Sequence, residues 1–127
     1  MRMSEVNAAI GRVQLKHVDD WVKIRNQNAN KIVHSTPVRE NSVHGWHQLC
    51  IQTDNPSELI AKMDQSGIDA RVHYPLILNK HAVYRNHPQH KIDLPRSENI
   101  AKKLVAIPVH PSLTNEEINR INSVLNP

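Results

Sequence analysis

The sequence predicts an α+β fold: a long N-terminal helix, then a small, mainly antiparallel three-stranded sheet with helices packed on it. Three observations predict it. A helical apolar pattern runs from Ser4 to about Val33. Beyond it lie three short apolar runs, "HQLCIQT", "IDARVHY" and "VAIPV". Helical stretches with start signals of their own separate or follow those runs, and that order packs helices onto one sheet. The predicted division is a connecting helix over 1–34 and a small α+β domain over 35–127, together one structural unit.

In the first helix Val6, Ile10, Val13 and Ile24 recur at helical spacing, with Trp21 one turn before Ile24. Leu15, Val18 and Val22 give a second apolar edge. Roughly 30 residues of helix extend about 45 Å, more than so small a domain needs. Gly11 inside it costs about 1 kcal/mol relative to Ala, which points to close packing against another backbone. The opening "MRMSEVNAAIGRVQLKHVDDW" is already helical at its fourth residue, as though the chain were entered partway through. A helix with two apolar edges expects polypeptide on both sides, and this chain is too short to supply it.

After Pro37 a polar stretch with Asn41, Ser42 and Gly45 reads as a loop. Leu49 and Ile51 then alternate through residues 47–53 as a half-buried strand. In "DNPSELIAKMDQSG" Asn55 takes the N-cap, Pro56 the first helical position and Glu58 the capping-box position. Leu59, Ile60 and Met63 form its buried stripe, and Gly67 stops it. Ile68, Ala70, Val72 and Tyr74 alternate as a second strand closed by Pro75. Residues 76–94 are irregular, with a short helix expected around His81 to Arg85. "RSENIAKKL" is a helix beginning near Ser97, and "VAIPV" the third strand, with Pro108 at an edge or bulge. In the final helix Thr114 and Glu117 form the capping box, and Ile118, Ile121 and Leu125 point inward.

Composition narrows the function classes. With no Phe, two Trp and two Tyr, the core of this 127-residue chain must be aliphatic. No apolar run is long enough for a membrane helix, and Glu5 and Asn7 interrupt any signal-peptide core. The single Cys50 rules out an intramolecular disulfide and suits the cytoplasm. Mid-strand, it reads as a small buried hydrophobe rather than a reactive thiol. The net charge of +4 comes from basic residues interleaved with acidic ones, without the patch or aromatic platform that nucleic acid requires. Nine histidines raise the question of a metal. The pairs His44/His47 and His87/His90 lie in loop-like segments without cysteine, so solvated loop histidines are expected and no metal site. The stretch "ARVHYPLILNKHAVYR" is more informative. His73 and Tyr74 end a strand before a proline, and Asn79, His81 and Tyr84 follow, where polar side chains can face a cleft. The plainer alternative leaves the tyrosine hydroxyls in water and His73 capping a carbonyl.

Three stretches together resemble the C-terminal portion of the DegT/StrS-type sugar aminotransferases: "RMSEVNAAIGRVQLKHVDDWVKIRNQNA", "LIAKMDQSGIDARVHYPLILNKHAVYR" and "LPRSENIAKKLVAIPVHPSLTNEEINRINSVL". The resemblance implies the small C-terminal domain of a fold-type I enzyme dependent on pyridoxal phosphate, together with the helix joining it to a larger domain. That larger domain carries the Schiff-base lysine, so the resemblance assigns this chain no catalytic residue and no bound cofactor of its own. Arg2 occupies the family position that reaches the cofactor phosphate of the neighbouring subunit, and a guanidinium suits phosphate. His73 and Asn79 become candidates for lining the substrate side of the cleft. Where the family usually has Pro-Leu-His, this chain has Ile77, Leu78 and Asn79. The implied parent moves an amino group, from glutamate by resemblance, to a nucleotide-linked keto-sugar, although some relatives are dehydratases. The implied assembly is a homodimer through the long helix, with no nucleic acid or membrane partner. A self-associating interaction module stands as the second reading, and a metal- or nucleic-acid-binding protein as the third.

Overall fold

A strand that arrives late in the chain organises the sheet. The computed structural model describes residues 3–33 and 38–126, so the expected division between 34 and 35 falls outside the described residues. β1 (Leu49–Gln52) and β2 (Arg71–Val72) both pair antiparallel with β3 (Leu104–Ile107), giving the order β1-β3-β2. Leu49 faces Ile107 and Ile51 faces Val105, and these four side chains form the buried face. Cys50 and Ala106 are opposite one another on the other face.

The helices are α1 (Glu5–Leu15), α2 (Val18–Lys31), α3 (Pro56–Gln65), α4 (Pro95–Ala101) and α5 (Asn115–Leu125). Met63 of α3 and Ile118 and Ile121 of α5 close over the apolar face of the sheet, with Ala29, Ile32, Trp46 and Val109 at its margin. The core is aliphatic apart from Trp46, as composition requires. Trp46 is seated by its indole N–H, which donates to Asn26 Oδ1 at 3.0 Å.

The predicted long helix is divided at Lys16–His17. The amides of these two residues donate to Val13 O and Gln14 O, three residues back instead of four. His17 rests its ring on Trp21 with centroids 5.8 Å apart. Asp19 and Asp20 then occupy the first turn of α2, where a helix N-terminus favours negative charge. That acidic pair marks a second start which the apolar spacing alone does not reveal. α1 buries none of its residues, and a Cβ placed on Gly11 would meet nothing within 4 Å. The close backbone approach expected at Gly11 is therefore not made within the described chain.

α2 has a different end. Asn28 Nδ2 donates to His110 O at 3.0 Å, and Asn122 Nδ2 donates to Lys31 O at 2.8 Å. Asn122 Oδ1 also accepts from Val33 N at 3.0 Å, so one α5 side chain holds the end of α2 from both sides.

Other elements follow their signals with local changes. α3 begins at Pro56 and stops at Gly67, whose φ of +70° is what a residue without a Cβ tolerates. Asn55 is the N-cap residue but makes no capping bond through its side chain. α4 begins at Pro95 instead of near Ser97, because proline's fixed φ suits the first helical position. β2 is shorter than predicted: Ile68 and Ala70 are buried, but Val72 and Tyr74 are exposed, and the backbone leaves the extended region at Tyr74. Three 3-10 turns, Leu78–Lys80, Ala82–Tyr84 and Pro88–Lys91, stand where one short helix was expected. Cys50 is half-buried rather than buried, and that partial burial pushes its thiol pKa up.

Two measurements check this account. Met63→Ala opens a cavity at a fully buried site and is expected to cost about 2–5 kcal/mol in urea unfolding. At the start of α5, Thr114 N donates to Glu117 Oε2 at 2.8 Å, and the bonds from Thr114 hold the Glu117 carboxyl below its usual range. A depressed folded pKa stabilises above the ordinary glutamate value and loses that contribution as pH falls through the folded one. Glu117→Gln should therefore flatten the decline in urea midpoint between neutral pH and about pH 3.

Candidate functional site

The end of β2 is built on a strained residue. Tyr74 has φ of +55°, a left-handed conformation that bulky side chains rarely adopt, and it precedes Pro75. Such conformations cost on the order of 1–3 kcal/mol and persist only where the surroundings enforce them. The consequence is geometric. Successive strand residues point to opposite faces, but here the His73 and Tyr74 rings lie together, centroids 4.0 Å apart and tilted by 43°. His73 N reaches back to Leu104 O at 3.5 Å, a long bond that marks the end of the β2–β3 ladder.

His73 is half-buried between two grooves. One, of about 500 Å³, lies on the open side of the sheet and includes Gln48, Arg71 and His110. Arg71 is exposed there, with its Nε 3.0 Å from Asp69 Oδ1. The other, of about 710 Å³, is mostly apolar: Leu76, Ile77, Leu78, Ile100 and Leu104 line it, with His73, Tyr74, His81 and Ser97 as its polar groups.

Asn79 lies in a third groove of about 510 Å³, with Tyr84, His87, Gln89, His90 and Leu94. Its Nδ2 donates to Gln89 O at 3.3 Å and to Ile92 O at 2.9 Å. Its own carbonyl lies 2.7 Å from His90 Nδ1. Among the described residues its Oδ1 is a buried side-chain acceptor with no partner. Each such bond contributes about 0.5–1.5 kcal/mol, whereas a stranded buried acceptor costs about 1–3 kcal/mol.

The structure thus sets His73 and Asn79 in neighbouring grooves that share Ile77, Leu78 and Ser97, not in one pocket. Arg2 lies outside the described residues. The pairing of the His73 and Tyr74 rings was not legible in the sequence, because strand alternation predicts them apart. Nor was the pairing of Asn79 with main-chain carbonyls ten and thirteen residues on, which no side-chain pattern announces. His44 Nδ1 accepts from Trp46 N at 2.9 Å, and His87 Nδ1 from Gln89 N at 3.3 Å, so these histidines fasten their own loops. Among the described residues no three His, Cys, Asp or Glu side chains are grouped to hold a metal, and no helix is long and apolar enough to cross a membrane.

The fit to pyridoxal phosphate is tested by the amines. No lysine lines any of these three grooves. The two partly covered ones are engaged elsewhere: Lys80 Nζ lies 3.4 Å from Asp93 and 3.6 Å from Glu98, and Lys103 Nζ lies 2.6 Å from Asp54. A covalent cofactor site needs an amine facing a pocket that admits the ring. The described residues do not by themselves make one.

Comparison with known proteins places this geometry. The chain is 27% identical to the dTDP-3-amino-3,4,6-trideoxy-alpha-D-glucose transaminase of Streptomyces venezuelae, over 94% of this chain and 34% of that protein. It is 28% identical to the dTDP-4-amino-4,6-dideoxy-D-glucose transaminase of Escherichia coli, over 98% of this chain and 38% of the relative. The chain therefore spans about a third of the length of the curated relatives it matches. Among solved structures it superposes on S. venezuelae DesV, determined in complex with a ketimine intermediate, with a TM-score of 0.87 and 25% identity over 98% of this chain and 36% of that one. A Brucella abortus DegT DnrJ EryC1 StrS aminotransferase shares the fold with a TM-score of 0.86, at 23% identity over 98% of this chain and 35% of that one. The model of the DegT/DnrJ/EryC1/StrS aminotransferase family matches residues 1–126, and the chain belongs to that family.

Proposed function

We propose that this chain serves in a pyridoxal-phosphate-dependent aminotransferase acting on a nucleotide-linked keto-sugar, where it forms the substrate-side wall of the cleft and part of a dimer interface. The observation that carries the reading is the strained turn at Tyr74, which holds two rings together at the mouth of an apolar groove. Strain of this kind gathers at functional sites. A pyranose presents C–H faces to aromatic rings and hydroxyls to polar edges, and the groove supplies both.

In this reading His73 meets a sugar hydroxyl with its imidazole, and Asn79 fixes the adjoining wall. Arg2 takes the cofactor phosphate by resemblance, and the lysine that binds the cofactor comes from polypeptide outside this chain. Pyridoxal phosphate would supply the electron sink when bound, and this chain would supply orientation and exclusion of water. The relatives' names support a nucleotide sugar as substrate, and they differ in the ring position of the amino group. We place the protein in the cytoplasm, in keeping with its single cysteine.

The second reading, self-association through the first helix, is favoured by a specific surface. Val6, Ile10 and Val13 of α1 are all more than half exposed, side by side at helical spacing. Scattered apolar residues need no explanation, but a contiguous stripe marks a contact surface. The two readings are compatible, because the same helix can carry the dimer contact of an enzyme.

Titration of the chain with dTDP-glucose or UDP-glucose, followed by amide shifts, is expected to move His73, Tyr74 and Ile100. His73→Ala should weaken binding about tenfold, equivalent to roughly 1.4 kcal/mol, without changing the unfolding midpoint. An absence of shifts at millimolar ligand would count against the cleft assignment. In sedimentation, the wild-type chain is expected to run as a dimer and Ile10→Asp as a monomer; equal masses would remove the helix from the interface.

A further inference from the structure

We propose that Asn79 is a positioning residue whose amide latches residues 80–91 as a strap along the groove beside His73, and that the latch is built to open. Three independent features carry this. The strap has no apolar anchorage of its own: every side chain from His81 to Gln89 is exposed, Val83 at 83%. Segments without buried apolar contacts lie at the low end of local stability.

The strap is instead held where its two ends meet. Asn79 Nδ2 donates to Gln89 O and Ile92 O, and Asn79 O lies 2.7 Å from His90 Nδ1, a contact that requires the proton on Nδ1. Lys80 adds a tether from the same end to Asp93 and Glu98.

The third feature is the stranded Asn79 Oδ1. Turning the amide over would set that oxygen against two carbonyl oxygens, so its orientation is forced by the bonds Nδ2 makes. The closed latch therefore buries an acceptor that no described protein group meets, and lifting the strap exposes it to solvent. Bonds lost on opening and the acceptor recovered nearly offset each other. Opening moves Tyr84 and His87 away from Leu94 and Ser97 and widens the groove they share. The inference rests on the reading that a sugar nucleotide enters these grooves, because the strap then admits the ligand and covers it.

Hydrogen exchange of the full chain, read residue by residue by NMR, tests the latch. The amides of Tyr84, His87, His90 and Ile92, each bonded within the strap, are expected to exchange as a group about 100-fold faster than those of β3. The isosteric Asn79→Asp, which loses both donors and keeps the buried oxygen, should accelerate this group about tenfold more and leave β3 and α5 unchanged, whereas Asn79→Ala, which removes donors and stranded acceptor together, should accelerate it less. If substitution at 79 unfolds the chain, His90→Ala provides the same test with a smaller acceleration of the same four amides. Strap amides protected as well as β3, variants that exchange like wild type, or acceleration spread evenly over strap and sheet would each overturn the proposal. No ligand is used, so a failure of sugar-nucleotide binding would overturn the cleft assignment without touching this result.

Discussion

Both edges of the sheet depend on the main-chain hydrogen bonds of β3. Its one side completes β1 and its other side completes β2, and neither outer strand pairs with the other. The same segment extends its influence past the ladder. Lys103 O accepts from Thr53 N at 2.9 Å, fixing where β1 turns into α3, and Leu104 O takes the last long bond from His73. The position of the His73–Tyr74 ring pair is therefore set by a strand more than thirty residues further along. Remove that pairing, and the apolar face of the sheet has no common plane for Met63, Ile118 and Ile121 to cover.

The molecule is one-sided as a result. α3 and α5 cover one face of the sheet, while the other presents Arg71, Ala106 and the half-buried Cys50. α1 shows a similar asymmetry, apolar along a stripe and bare in this chain, whereas the end of α2 is pinned by Asn28 and Asn122. The candidate residues His73 and Asn79 are both half-buried, between the packed part and the exposed one. There the backbone takes a positive φ at Tyr74, and Asn79 holds an unmet acceptor. Loops carried by a rigid scaffold commonly hold binding residues.

Much of this was legible in the residues. The α3 signals Pro56 and Gly67, the Thr114–Glu117 box and the alternating Leu49 and Ile51 all act locally, and local rules read them correctly. The division at His17 was hidden because apolar spacing continues across it, and only Asp19 and Asp20 betray a new N-terminus. Tyr74 was misread because a period-two pattern assumes extended backbone, which its left-handed turn breaks. Asn79 could be named as a site candidate, but its bonds go to main-chain carbonyls, and every residue offers one of those. The family resemblance named His73 and Asn79 together. The structure sets them on either side of a shared ridge.

The clasp of Asn122 on Lys31 and Val33 spans about ninety positions of sequence. Ordering of that kind is slow, since the intervening loop must close before the contact repays it. Synthesis runs from the amino-terminal side, so α2 waits for about ninety further residues before the side chain that clasps its end is made. Apolar surface left open over such an interval is prone to aggregate.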